Sequence, residues 1–194
     1  MGSERIARAV VTMSSLALAA SAPQPAAAAN PAVPTIAAFE AVLAAHNSAT
    51  EALRAWCEAR GLASPAQIMA RPLAGPPARP PKGLRHLLGI GAREAIGYRH
   101  VELTCGNRVL SVAHNWYVPG RLTPEMNAAL ATTQVPFGRI AAPLAYHRVP
   151  LEVLAKPPRS CPANTISAHR ALLQLPDGQP LAYVLECYTS DNIE

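Results

Sequence analysis

The sequence predicts an α+β protein, with a single, mainly antiparallel sheet and flanking helices. Three observations carry this. From Ala95 onward, apolar residues recur with a period of two, the signature of half-buried strands. Successive strand-like runs are joined by short turns rather than helical crossovers, which favours antiparallel pairing. Helical periodicity is concentrated near the start of the chain, so helices and strands are segregated.

Residues 35–60 (TIAAFEAVLAAHNSATEALRAWCEAR) read as helical, with Ile36, Phe39, Val42 and Leu43 at helical spacing. The pattern resumes at Leu53, Trp56 and Cys57 after His46-Asn47-Ser48. That interruption predicts two helices, the second capped by Asn47 or Ser48 and ended by Gly61. Residues 71–83 (RPLAGPPARPPKG) hold five prolines and two glycines and predict a surface loop.

In the strand that follows, Arg99, Val101, Leu103 and Cys105 share one face; His100, Glu102 and Thr104 share the other. Cys105-Gly106-Asn107 turns the chain into a second strand, Val109–Val118, closed by Pro119-Gly120. Leu122–Thr133 predicts a short helix with Thr123 as N-cap and Pro124 at its first position. Pro136–Leu144 reads as a turn or short helix, Tyr146–Leu154 as a strand, and Lys156–Thr165 as a second Pro-rich loop. Ile166–Leu175 and Leu181–Thr189 form two further strands joined by Pro176-Asp177-Gly178, a hairpin signal. The expected total is five strands and three or four helices.

Composition narrows the function classes. Of 194 residues, 50% are hydrophobic but only 5% aromatic, so the core rests on Leu, Val, Ile and Ala. Disorder throughout is excluded, because it requires low hydrophobicity and high net charge. The net charge of +5 is mild, and the basic residues are scattered. Nucleic-acid binding, which shows a clustered basic patch with aromatics, is not expected; a small anionic or aromatic ligand is. No run is long and apolar enough to predict a stable membrane span.

Residues 1–29 read as a signal peptide or a disordered tail. Arg5 and Arg8 precede an apolar stretch, Ala9 to Ala20, and Ala27 and Ala29 offer an A-x-A cleavage site. Residues 30–194 then form one domain, expected to be exported to the periplasm or beyond; retention in the cytoplasm is the alternative. Four cysteines (Cys57, Cys105, Cys161 and Cys187) have no CxxC or zinc spacing. An exported chain would form up to two disulfides, with three pairings open; a cytosolic one would keep four thiols. Cys105 and Cys187, within strands, are expected to be buried small hydrophobes.

Two charged residues stand on otherwise apolar strand faces. Arg99 there is costly unless it meets an anion, and its planar fork suits a carboxylate. The alternatives are a structural ion pair or a sheet-edge position reaching solvent. Glu186 shares its face with Ala182, Val184 and Tyr188. Such a carboxyl can exchange a proton near neutral pH, or partner an arginine across the sheet, Arg99 included. The six histidines show no HxH or HExxH pairing, so neither a metal nor any other cofactor is expected. The serines lack a G-x-S-x-G elbow, and GIGAREAIG lacks dinucleotide-binding spacing.

Four segments, in order, resemble the chorismate pyruvate-lyase family: AHNSATEALRAWC, RHVELTCGNRVLSVAHNWYVP, the turn Pro136-Phe137-Gly138-Arg139, and HRALLQLPDGQPLAYVLECY. They span about residues 36–190. The resemblance implies a chorismate lyase-like fold, one antiparallel sheet and packed helices enclosing a ligand cavity. It implies cofactor-free conversion of chorismate to 4-hydroxybenzoate and pyruvate. Arg99 matches the arginine that holds the ring carboxylate, Phe137 the residue that offers a backbone N–H, and Glu186 the glutamate at the ring hydroxyl. Elimination makes an aromatic ring, so such a protein needs only to orient the substrate, exclude water and assist one proton movement. The alternatives are a non-catalytic exported protein of the same fold binding a small aromatic or carboxylate ligand, and an interaction module whose cavity has collapsed.

Overall fold

A computed structural model describes residues 33–194; the predicted signal peptide or tail at residues 1–29 lies outside them. Two helices open the described chain. α1 (Ile36–Ala44) starts at Thr35, whose side chain accepts a hydrogen bond from the Ala38 N–H at 3.1 Å. α2 (Ala49–Ala59) follows the predicted break, with Ser48 at the N-cap position. The Ser48 side chain makes no capping bond, however, so the predicted cap exists in backbone only.

Six strands follow in one antiparallel sheet, not five: β1 (Ile68–Pro72), β2 (Gly97–Cys105), β3 (Arg108–Tyr117), β4 (His147–Val153), β5 (Thr165–Gln174) and β6 (Pro180–Thr189). Their spatial order is β1-β2-β3-β6-β5-β4. The additional strand, β1, takes Arg71 and Pro72 from the predicted loop and pairs Pro72 with Val101. Proline is tolerated there because β1 is an edge strand. Gly106, at φ +56°, supplies the left-handed backbone of the tight β2–β3 turn. Between β1 and β2 lies the short α3 (Leu84–Leu87); α4 (Pro124–Thr132) and α5 (Phe137–Ile140) lie between β3 and β4. Thr123 caps α4 as predicted, accepting from the Met126 N–H.

Both faces of the sheet are covered. On the helical face, Phe39, Leu53 and Trp56 from α1 and α2 pack on Val101, Leu103 and Tyr188. Leu130 and Phe137 from α4 and α5 pack on Leu173, Ala182 and Val184. The opposite face is covered by two loop segments, residues 73–96 and 154–164. There Leu84, Leu88 and Ile90 pack on Val112, Trp116, Tyr183 and Leu185. A polar thread ties the two loops across this strap face. The Ala78 N–H donates to Tyr98 Oη (3.0 Å), Tyr98 Oη meets His114 Nδ1 (2.8 Å), and His114 Nε2 meets the Ser160 carbonyl (3.2 Å).

Cys105 and Cys187 are buried, as expected, and of the three open pairings one is formed, giving two disulfides. Cys57 of α2 is bonded to Cys105 at the end of β2, and Cys161 of the 154–164 loop to Cys187 of β6. Each disulfide fastens one cover to the sheet, one per face.

Candidate ligand cavity

Register places the predicted residues relative to one another. One row across the sheet reads Val101, Ala113, Glu186, His169 and Val153; the next reads Arg99, Asn115, Val184, Ala171 and Pro150. Arg99 and Glu186 therefore share the helical face, on adjacent rows, and both are buried, at 7% and 6% exposure. His100, one residue on, belongs to the strap face, where its ring stacks on His114 at 4.2 Å.

Arg99 holds a loop. Its two terminal nitrogens donate to the Val135 and Thr133 carbonyls, each at 2.9 Å. The intervening Gln134 carbonyl accepts from the Ala70 N–H of β1 at 2.7 Å. This fixes the segment leading into Pro136-Phe137-Gly138. Burial lowers the Arg99 pKa from the usual arginine value, with Tyr117 acting the other way. The Phe137 ring lies 5.5 Å from that of Tyr117. Tyr117 in turn lies flat over Gly97, where a Cβ would come within 2.3 Å of it. Only glycine fits at position 97 beneath that ring.

Glu186 is paired with Arg148 of β4, not with Arg99. The Arg148 Nη2–Glu186 Oε2 distance is 2.7 Å, and both side chains are buried. The Tyr188 hydroxyl donates to the same oxygen at 3.0 Å. Burial pulls the Arg148 pKa down, but Glu186, with Tyr188 and Glu40 behind it, more than offsets this and leaves it raised. Burial pushes Tyr188 well above its usual value, so it serves as a hydroxyl donor. Next to this pair, Glu40 of α1 meets Ser167 and His169 of β5. The same His169 nitrogen, Nε2, faces both Ser167 Oγ and Glu40. A nucleophile relay needs the two ring nitrogens to face different partners, so this trio is a structural cluster.

Between these groups lies a small cavity. Its floor is Ala113, Asn115, Val184 and Glu186; its roof is Ser48–Thr50 at the start of α2 and Phe137–Gly138 at the start of α5. Its free volume is about 30 Å³, room for about two water molecules. A Cβ on Gly138 would come within 2.7 Å of Tyr146 Oη, 2.9 Å of Ser48 Oγ and 3.0 Å of Thr50 Oγ1. Gly138 thus lets three hydroxyls close the roof. Outside that roof two hollows of about 160 and 110 Å³ share Ser48 and Gly138 with the inner cavity; the larger is lined by Arg54 and Arg139.

Phe137 and Glu186 line this cavity and Arg99 stands behind it, beside Asn115. Sequence reasoning missed Asn115, Arg148 and Tyr146. Asn115 had a signal: it is a polar residue on the same alternation as Ala113 and Tyr117. Asn115 is 6% exposed and lines the cavity. Among those residues no group of three His, Cys, Asp or Glu is placed to hold a metal ion, and no helix is long and apolar enough to cross a membrane.

No family model matches the chain. Among solved structures, the effector domain of PhnF from Mycobacterium smegmatis superimposes with a TM-score of 0.54 at 14% identity, over 75% of this chain and 90% of that one. The longer PhnF structure gives 0.54 at 13% identity, over 77% of this chain and 66% of that one. The shared architecture is the chorismate lyase-like fold, a single antiparallel sheet with a few helices. A closer sequence relative is the uncharacterized protein y4mC of Sinorhizobium fredii, 39% identical over an alignment of 175 residues that covers 80% of this chain and 74% of that protein. The chain therefore belongs to the same family as y4mC.

Proposed function

We propose that this chain is an exported, non-catalytic protein that binds a small carboxylate-bearing ligand in the cavity beneath Ser48 and Gly138. Asn115 carries the reading. Its amide lines the cavity, and its NH₂ group can donate to a ligand carboxylate there. The start of α2 supplies more donors to the same space. The Ala49 and Thr50 N–H groups have no intrahelical acceptor, and the Ser48 hydroxyl does not cap them. The partial positive charge of a helix N-terminus favours an anion there. That one solved neighbour is described as an effector domain accords with a sensing or carrying role. Two disulfides that use all four cysteines support an oxidising compartment, hence export.

Turnover is disfavoured by what Arg99 and Glu186 already do. The guanidinium holds two backbone carbonyls, and the carboxylate is engaged by Arg148 and Tyr188. The lyase is the second reading, favoured by the joint presence of Phe137 and Glu186 in one cavity wall.

One experiment separates them. The full chain is titrated calorimetrically with a graded panel of carboxylates, from acetate to 4-hydroxybenzoate. It is also incubated with chorismate while pyruvate and 4-hydroxybenzoate are quantified. The expected result is saturable binding of at least one carboxylate, weakened about tenfold or more by Asn115→Ala as a charge-assisted contact is lost, with no pyruvate formed. Pyruvate release that disappears in Arg99→Ala and falls in Glu186→Gln establishes the lyase instead. Binding indifferent to Asn115 removes the cavity assignment.

A further inference from the structure

The larger open space of the molecule lies on the other face of the sheet. Two contiguous hollows there, of about 450 and 120 Å³, share Pro81, Arg170 and Tyr183. Their floor is aromatic. Trp116 and Tyr183 are cross-strand partners with ring centroids 5.8 Å apart. One wall is the strap at Pro81–Leu87; the other is the edge formed by Leu151, Glu152 and Arg170. The 158–160 turn closes one end.

Charge on this groove is one-sided. Arg79, Lys82 and Arg170 line it against a single carboxylate, Glu152, which is bound to Arg170 at 2.8 Å. Tyr183 is 3% exposed. It belongs to the lining of both hollows, near Arg170 and Glu152.

We propose that this groove is a second ligand site, specific for a flat aromatic acid. The ring packs between Pro81, Leu87 and Leu151, with the edges of Trp116 and Tyr183 beneath it, and the carboxylate meets Arg170 and Lys82. Apolar surface with a few convergent polar groups is the usual make-up of a small-molecule site, and 450 Å³ is within the usual size. The cations suit an anion by charge complementarity, and an arginine suits a carboxylate by geometry. The site is separate from the Asn115 cavity, since the sheet itself lies between them.

The two tryptophans provide the readout. Trp56 donates its indole N–H to the Asn192 carbonyl on the helical side, and Trp116 lies in the groove floor. The full chain is titrated with 4-nitrobenzoate, and with neutral nitrobenzene as a control, while both indole N–H resonances are followed by NMR. The expected result is a saturable shift of the Trp116 signal alone. Affinity falls about tenfold or more for nitrobenzene and for the Lys82→Gln/Arg170→Gln variant, as charge-assisted contacts are lost, and is unchanged in Asn115→Ala. An unmoved Trp116 signal overturns the proposal, as does equal binding by the charge-depleted variant. Loss of the shift in Asn115→Ala alone overturns it too, by placing the probe in the other cavity. Both exchanged side chains are surface groups, so their loss leaves the fold intact; a retained Trp56 resonance verifies this.

Discussion

The two faces of the sheet solve the same burial problem with opposite chemistry. The helical face takes in charge: Arg99 and Glu186 buried on the sheet, Arg148 at its edge and the half-buried Glu40 of α1. The strap face takes in uncharged rings: Tyr98, His100, His114, Trp116 and Tyr183 pack ring against ring across β2, β3 and β6, the histidines stacked and the outer pairs tilted. Buried charge must be matched atom by atom, and the result is a tightly closed interior with a cavity of about 30 Å³. Stacked rings impose no such accounting. Loops suffice to cover them, and loops leave a groove of about 450 Å³. Tight polar matching and open volume are thus segregated to different sides of one sheet.

Breaking the charge pair has the largest expected effect. Glu186→Ala leaves Arg148 buried without a counter-charge and Tyr188 without its acceptor. The expected loss is about 3–5 kcal/mol in urea unfolding, whereas Arg148→Leu/Glu186→Leu costs far less because no charge is stranded. Equal losses in the two variants would mean that charge does not organise this face. On the strap face the comparable act is removal of Cys161–Cys187, which closes a 26-residue separation. Cys161→Ala/Cys187→Ala is expected to cost about 3.5 kcal/mol by loop-closure entropy. It should also open residues 154–164 to protease while carboxylate binding at Asn115 persists. Loss of that binding would show the faces to be coupled.

Acid has the smallest expected effect and acts on the strap face. Burial lowers the pKa of His100 and His114; each also feels a neighbour, His114 lowering His100 and the Ser160 carbonyl raising His114. His100 Nε2 is buried without a partner, and Tyr98 links to His114 Nδ1. Below the ordinary histidine value of about 6.5 the unfolded chain takes up protons that the folded chain refuses. The stabilisation from these neutral rings is therefore complete above pH ~6.5 and declines as pH falls towards the lowered folded values. Unfolding midpoints from pH 8 to pH 5 should fall accordingly. The slope should flatten in His100→Phe, and an unchanged slope would clear the histidines of any part in it.

Much of the sheet was legible because alternation reports burial directly. The period-two pattern around Val101 and Leu103 placed Arg99 on the covered face, and the LAYVLECY run did the same for Glu186. β1 was not legible, since only Ile68 and Ala70 of its five residues are buried and it runs into prolines. Arg148 was hidden for a related reason: β4 is an edge strand with mostly exposed side chains and a bulge between Pro150 and Glu152. The pairing of the cysteines depends on which element crosses which strand, information that spacing alone does not hold. Asn115 was legible as a position but not as a site, because the cavity it lines exists only once the roof from α2 and α5 is in place.

The two disulfides have a bearing on how this family can vary. Each joins one covering segment to one strand, Cys57 to Cys105 on the helical face and Cys161 to Cys187 on the strap face. A cover held covalently keeps its place even when its packing residues drift. Loop segments tolerate insertion and substitution better than strands do, and a covalent anchor widens that tolerance. Selection can then reshape the lining of either hollow, residue by residue, without risking the attachment of the lid. The sheet is inherited as a fixed plate, and the two tethered covers are where relatives of this protein can acquire different ligands.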